Sequence, residues 1–339
     1  MADLTTRWMD MTLTSPLVVA ACPLSNDVEA IATAVAAGAG AVVMHSLFEE
    51  QIVHEQMAAH QFLDARADLG AEARSFLPDV DVFSLGAQPY LAQLDKLRRR
   101  VDVPILASLN GSTPGGWTDY ARQFEAGGAN AIELNLYDIA ISPTQSGASC
   151  EEQQLAVVHD VVHSVNIPVT VKLSAFYSAI PAFVRRLEEA GARGVAVFNR
   201  FYQPDVDLDT LDVDRSIVWS TPQELPLRLH ALAILAPATT LSLACTGGVH
   251  SGRDAAKAIL CGAHVVQIAS VLLARGPAWV ANICQELDQW LDEKRYVSSA
   301  EARGILALGS TSDAHAWERL NYARVLDGWK PKTPWRKIP

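Results

Sequence analysis

A TIM (β/α)8 barrel is the fold this sequence predicts, and three observations predict it. One phrase recurs, in which a helix ends at Gly or Gly-Ala and a short β-branched run follows: Gly38-Ala-Gly-Ala-Val-Val43, Gly128-Ala-Asn-Ala-Ile132, Gly191-Ala-Arg-Gly-Val195 and Gly262-Ala-His-Val-Val266. Most of these runs are continuously apolar rather than alternating, as parallel strands buried on both faces are. Eight such runs, separated by helical patterns and by no low-complexity linker, fall within about 270 residues, which favours a closed barrel over an open doubly wound sheet.

The predicted strands are 17–21, 40–44, 103–108, 130–135, 167–172, 194–198, 240–244 and 264–268. Glycine closes the preceding helix in a left-handed conformation. In Val101-Asp-Val-Pro-Ile-Leu106 and Val165-Asn-Ile-Pro-Val-Thr170, proline instead opens the strand where no ladder donor is needed. Ser25-Asn26 with Glu29 reads as the cap of the first helix, Trp117–Ala126 as a further helix, and Ser251-Gly-Arg-Asp254 as the start of one ending at Cys261-Gly262. The long polar intervals 46–87 and 199–222 follow strands 2 and 6 and read as loops that shape or cover a site. We read the chain 1–339 as a single domain, with the barrel over about 13–295 and a C-terminal helical tail over 296–339. The tail carries Trp317, Tyr322 and Trp329 among charges, and packs on the barrel or on a partner subunit.

The composition, 50% hydrophobic and 19% charged over 339 residues, is that of a chain able to bury a large core. A net charge of −11 argues against a nucleic-acid binder, which needs clustered Lys and Arg. The start, Met1-Ala-Asp-Leu-Thr-Thr-Arg-Trp8, has neither a basic region nor an apolar one, and no run approaches the roughly 18 apolar residues of a spanning helix. The expected location is therefore the cytoplasm, with no membrane partner. Cys22, Cys150, Cys245, Cys261 and Cys284 are odd in number, widely spaced and without a CxxC pair. They fit reduced thiols better than disulfides, zinc or an iron–sulfur cluster, and no metal is expected.

The strand ends carry the chemistry. They present His45-Ser46, Ser108-Leu-Asn110, Glu133-Leu-Asn135, Lys172, Asn199-Arg200, Thr246-Gly-Gly248 and Gln267 at the rim where barrel active sites are built. Leu241-Ser-Leu-Ala-Cys-Thr-Gly-Gly-Val-His250 runs an apolar strand into two glycines, and the next strand ends at Ala269-Ser270. Glycines let the main chain approach an anion closely, and a helix N-terminus at Ala269-Ser270 adds partial positive charge, so the pair of strand ends suits a phosphate. Lys172 ends an apolar strand, where an ammonium must find an anion. Two readings stand: a structural ion pair with Glu133, or donation to an electron-rich ring or a phosphate.

At these residues the chain resembles the dihydroorotate dehydrogenase family of FMN-dependent barrels. The matching phrases are Ser15-Pro-Leu-Val-Val-Ala-Ala21, Glu133-Leu-Asn-Leu136, Val171-Lys-Leu173, Thr246-Gly-Gly-Val249 with Gly252-Arg-Asp254, and Leu260-Cys-Gly-Ala263 through Gln267-Ile268, in barrel order. The resemblance implies FMN. Carried over position by position, it puts Ala20, Ala21 and Ser46 beside the flavin and Asn135 and Lys172 on its ring edge. Phe198 and Asn199 fall near ring and substrate, and Gly247, Gly248, Ala269 and Ser270 surround the phosphate. Asn110 is implied as a further flavin contact, although Asn110-Gly111 is also an ordinary turn pair.

Four departures bear on the substrate. The family's Lys-Ser after strand 2 is His45-Ser46 here, and its Asn-Leu-Ser-Cys-Pro-Asn stretch is Asn135-Leu-Tyr-Asp-Ile-Ala140. Its Asn-Ser-Met-Gly-Leu-Pro-Asn loop has Phe83-Ser-Leu-Gly86 as nearest segment, and its Asn-Ser after strand 6 is Asn199-Arg200. In the family, asparagines at these places bind the pyrimidine and a Cys or Ser removes the C5 proton. Asp138 matches that base, and burial beside an apolar ring would raise its pKa toward neutrality; the alternative is that it caps a loop. Tyr137 is its neighbour, and a phenol is a poor base at pH 7. Arg200 suits a carboxylate by bidentate pairing, and His45 would do so when protonated or donate one neutral N–H; as a rim residue it is otherwise simply solvated.

Three functions follow as expectations. One is an FMN oxidoreductase that oxidises dihydroorotate, as in pyrimidine biosynthesis, or a related carboxylated small-molecule substrate. Another keeps the flavin and reduces a different unsaturated substrate, which the missing asparagines favour. The third is a partner subunit that binds FMN or a phosphometabolite without turnover. The resemblance also implies a soluble acceptor such as fumarate, or an NAD-linked or iron–sulfur electron-transfer partner, and a homodimer.

Overall fold

The computed structural model describes residues 2–48, 87–110, 114–136, 140–199, 204–214, 218–313 and 315–328. Eight parallel strands close a barrel: β1 Leu17–Val19, β2 Ala41–Phe48, β3 Ile105–Asn110, β4 Ala131–Asn135, β5 Val169–Leu173, β6 Gly194–Val197, β7 Ser242–Thr246 and β8 Val265–Ile268. Each is hydrogen-bonded to its neighbours in sequence, and β8 closes on β1. Every predicted run overlaps its strand, and β2, β3, β5 and β7 run past the predicted ends. β3 and β5 begin only after Pro104 and Pro168, whose carbonyls accept from Val42 and Ile132 and so start the ladders.

Around the barrel lie α1 Val28–Ala36, α2 Gln88–Arg100, α3 Pro114–Ala126, α4 Gly147–Ser164, α5 Ile180–Glu189, α6 Leu225–Leu235 and α7 Gly252–Leu260. The short α8 Ser270–Arg275 and the longer α9 Val280–Lys294 follow β8. Gly38, Gly128, Gly191 and Gly262 all take positive φ at the helix ends, as their positions require. Ser251 caps α7 by accepting from the Asp254 N–H. The cap of α1 is a correction: Asp27 accepts from the N–H groups of Glu29 and Ala30, while Ser25 is buried in a 3-10 turn over Pro23–Asn26.

Two hairpins are additional to the predicted elements. Thr6–Trp8 pairs antiparallel with Met11–Leu13 through the two-residue loop Met9-Asp10, both of whose φ are positive (49° and 64°). This hairpin plugs the bottom of the barrel. Fully buried Trp8 packs with the inward-facing Val18, Val43, Leu106, Ala131, Ala196, Ala244 and Val265. The interval after β6, expected as loop, contains an antiparallel ribbon of Asp205–Asp207 with Asp212–Asp214. The interval after β2 begins later than expected, because β2 runs to Phe48, and 49–86 lies outside the described residues.

The tail packs on the barrel's helices. Leu306 and Leu308 donate backbone hydrogen bonds to Leu260 and Ala233, and the Trp317 indole donates to the Leu306 carbonyl at 2.7 Å. Its described helices are Ser299–Ala302 and Arg319–Gly328. Among the described residues no helix is long and apolar enough to cross a membrane.

Candidate functional site

Strand alternation turns every second residue into the barrel, and it changes character from bottom to top. Two steps above apolar Leu106, Ala131 and Val265 come Ser108, Glu133 and Gln267, all buried. Lys172 and Asn135 complete this polar layer on directly paired positions of β5 and β4.

Glu133 is fully buried and both its oxygens are used. Lys172 Nζ donates to Oε1 at 3.1 Å and Gln267 Nε2 donates to Oε2 at 2.7 Å. The first reading of Lys172 is therefore present: it forms an ion pair with Glu133, with 6% of its side chain exposed. The second reading is compatible with it, since an ammonium carries three donors.

Asn135 is held on the other side. Its Nδ2 donates to Ser108 Oγ at 2.8 Å, Ser46 Oγ at 3.2 Å and the Leu109 carbonyl at 3.3 Å. Ser46 reaches this group because β2 is irregular: its register with β3 shifts between Val43 and Ser46, placing Ser46 opposite Ser108, and the two hydroxyls meet at 2.8 Å. A strict period of two would put Val43 inside and Ser46 outside.

The glycine turn after β7 has the geometry of an anion cradle. Gly247 and Gly248 take φ of 88° and 81°, and a Cβ on Gly248 would lie 2.7 Å from the Leu225 nitrogen. Ser220, which the sequence reading missed, joins this turn to the end of β8. Its hydroxyl donates to Ser270 Oγ at 2.9 Å and accepts from the Gly248 N–H at 3.3 Å. Its own N–H donates to Ser270 Oγ at 3.1 Å, and His250 Nε2 donates to its carbonyl at 2.8 Å. Ala269 precedes Ser270, the first residue of α8. Two hydroxyls and a backbone N–H thus converge beside Gly248, where backbone leaves no room for a side chain, a donor set that fits a phosphate.

His45 belongs to neither group. Its ring packs against Tyr90 with centroids 5.0 Å apart, its N–H donates to Ser25 Oγ at 2.7 Å, and Nδ1 lies 3.1 Å from the same hydroxyl. Burial lowers its pKa below the ordinary value of 6.5 and so works against the protonated ring.

Other predicted residues take the following places. Ala20 is buried and its N–H donates to the Ile268 carbonyl; Ala21 is half-buried beside it. Phe198 is buried after a cis Val197–Phe198 peptide, and the Asn199 N–H donates to the Leu173 carbonyl at 2.7 Å. Asn110 ends β3 opposite Phe48. Tyr137, Asp138, Arg200 and the segment 83–86 lie outside the described residues. A groove lined by Met9, Asp10, His163, Asn166 and Arg193 opens at the opposite rim, away from the end where barrels of this kind build their active sites.

A family model described as dihydroorotate dehydrogenase matches residues 3–291. The catalytic subunit of dihydroorotate dehydrogenase B (NAD(+)) of Anoxybacillus flavithermus is 27% identical over 232 residues, 67% of this chain and 72% of that protein. Dihydroorotate dehydrogenase A (fumarate) of Lacticaseibacillus paracasei is 30% identical over 175 residues, 50% of this chain and 60%, under two thirds, of that protein's length. The dihydroorotate dehydrogenase B catalytic subunit of Thermoplasma acidophilum is 23% identical over 314 residues, 90% of this chain and 99% of that protein. The chain belongs to the dihydroorotate dehydrogenase family.

Proposed function

We propose that this protein is an FMN-dependent oxidoreductase that oxidises dihydroorotate or a related carboxylated substrate by base-assisted hydride transfer. The observation that carries the reading is the presence, at one end of the barrel, of a buried Lys172 beside Asn135 and of the Gly247-Gly248 cradle with Ser270. Gly247, Gly248, Ala269, Ser270 and Ser220 would hold the phosphate, and Lys172, Asn135, Ser46, Asn110, Ala20, Ala21 and Phe198 would surround the ring system. The flavin supplies a two-electron acceptor.

The chain's own groups then divide the remaining work. Glu133 holds the Lys172 ammonium in one place, where it favours negative charge developing on a neighbouring group. Asp138 is the proposed proton acceptor, and Arg200 with Asn199 the proposed partners of a substrate carboxylate. His45, tied to Ser25 and half-buried, is proposed to offer a hydrogen bond to substrate.

One observation favours a different substrate with the same cofactor. The stretch Asn135-Leu-Tyr-Asp-Ile-Ala140 replaces the family's Asn-Leu-Ser-Cys-Pro-Asn, and so removes an asparagine that serves the pyrimidine there. Purified protein separates the readings. Flavin absorption that is bleached anaerobically by dihydroorotate supports the first, and flavin that stays oxidised leaves the second and a subunit that binds FMN without turnover. A colourless chain that FMN does not reconstitute excludes both.

A further inference from the structure

Arg228, on the first turn of α6, is buried with 7% of its side chain exposed, and a guanidinium cannot shed its charge to escape that cost. Its hydrogen bonds include two to backbone carbonyls, one of them at the glycine turn. Nε donates to the Thr246 carbonyl at 3.2 Å and Nη1 to the Glu224 carbonyl at 3.0 Å, while Nη2 lies 3.6 Å from the Glu224 carboxylate. The guanidinium also lies against Gly247, where a Cβ would meet Nη2 at 3.1 Å and Nε at 3.3 Å.

The Thr246 carbonyl opens the glycine turn, and two residues on the Gly248 N–H donates to Ser220 in the cradle. A guanidinium that holds this carbonyl and packs against Gly247 fixes the turn from behind. We propose that Arg228 is the positioning residue of the phosphate site: by holding the Thr246 carbonyl and the Gly247 turn, without touching the ligand, it keeps the Gly248 N–H and Ser220 in place for a phosphate monoester. This rests on the FMN reading above, and it extends that site to a residue outside the cradle itself.

The test compares FMN with riboflavin, which lacks the phosphate, on the full chain stripped of flavin, by quenching of flavin fluorescence. For Arg228→Met, FMN should bind about tenfold more weakly while riboflavin changes by less than about twofold, as expected when a turn that only the phosphate uses loses the charge-assisted hydrogen bond that fixes it. Arg228→Lys keeps the charge but not the two-carbonyl fork, and should fall between the wild type and Arg228→Met. Equal weakening of both ligands, or no change in either, overturns the proposal and leaves the FMN reading intact. A wild-type chain that binds neither flavin overturns both. Should circular dichroism show that Arg228→Met does not fold, Arg228→Lys decides by the same ratio: selective loss of FMN supports the proposal, and parallel loss or no loss overturns it.

Discussion

Lys172 and Glu133 meet at 3.1 Å inside the barrel, with 6% and 0% of their side chains exposed. Breaking a buried pair leaves one charge without a partner in a region of low dielectric. Glu133→Ala should therefore cost about 3 to 5 kcal/mol, while the double change Lys172→Met with Glu133→Leu recovers most of it. Urea denaturation midpoints of the three proteins check this; a double variant no more stable than Glu133→Ala contradicts it.

The second glycine of the cradle has a steric reason to be glycine. Its φ is 81° and a Cβ would fall 2.7 Å from the Leu225 nitrogen, a backbone atom that moves only with the start of α6. Gly248→Ala should destabilise the fold by about 1 to 3 kcal/mol and weaken flavin binding as well. Melting temperature and flavin fluorescence, measured on the same preparation, report the two effects.

His264 gives the fold a pH dependence. Burial is the main cause that pushes its pKa down to about 4, with Arg303 adding to it, and Nδ1 accepts the Leu243 N–H at 3.0 Å, a bond that protonation removes. Between about pH 6.5 and 4 the folded state binds fewer protons at this ring than the unfolded state, so its contribution is complete above that window and is lost as pH falls through it. His264→Asn should flatten this part of the stability profile. Denaturation at a series of pH values tests it, and identical slopes for both proteins would rule it out.

Asp138 is proposed to take the proton. Asp138→Ala should slow flavin reduction about a hundredfold or more with dihydroorotate or whichever substrate reduces the wild type. Anaerobic stopped-flow reduction measures this directly, and an unchanged rate removes Asp138 from the mechanism.

The barrel was legible because its signal is coarse. Continuous apolar runs after Gly-Ala or Pro do not depend on the exact register, and all eight strands appeared where those runs lie. The turn at Gly247-Gly248 was legible for a related reason, since few other residues tolerate φ near 80° beside packed backbone. Finer features depended on three-dimensional neighbours. Ser46 faces Ser108 only because β2 slips its register, and a period-two pattern carries no mark of that slip.

Ser220 and Arg228 come from the connection after β6 and from α6, and nothing local in the sequence ties them to Gly247-Gly248. The plug hairpin was hidden because Met9-Asp10 is not the usual Asn-Gly or Asp-Gly pair for a two-residue turn. The ribbon at 205–214 was hidden by its five aspartates, which masked an alternation of Asp with Val and Leu typical of a strand.

This barrel end is proposed to hold FMN, with its phosphate on the glycine turn after β7 and its ring beside Lys172. Titration of the flavin-free chain with FMN tests it most directly. The account predicts saturation at one FMN per chain, with Gly248→Ala weakening binding of FMN far more than of riboflavin. Absence of saturable binding, or equal loss for the two flavins, would contradict it.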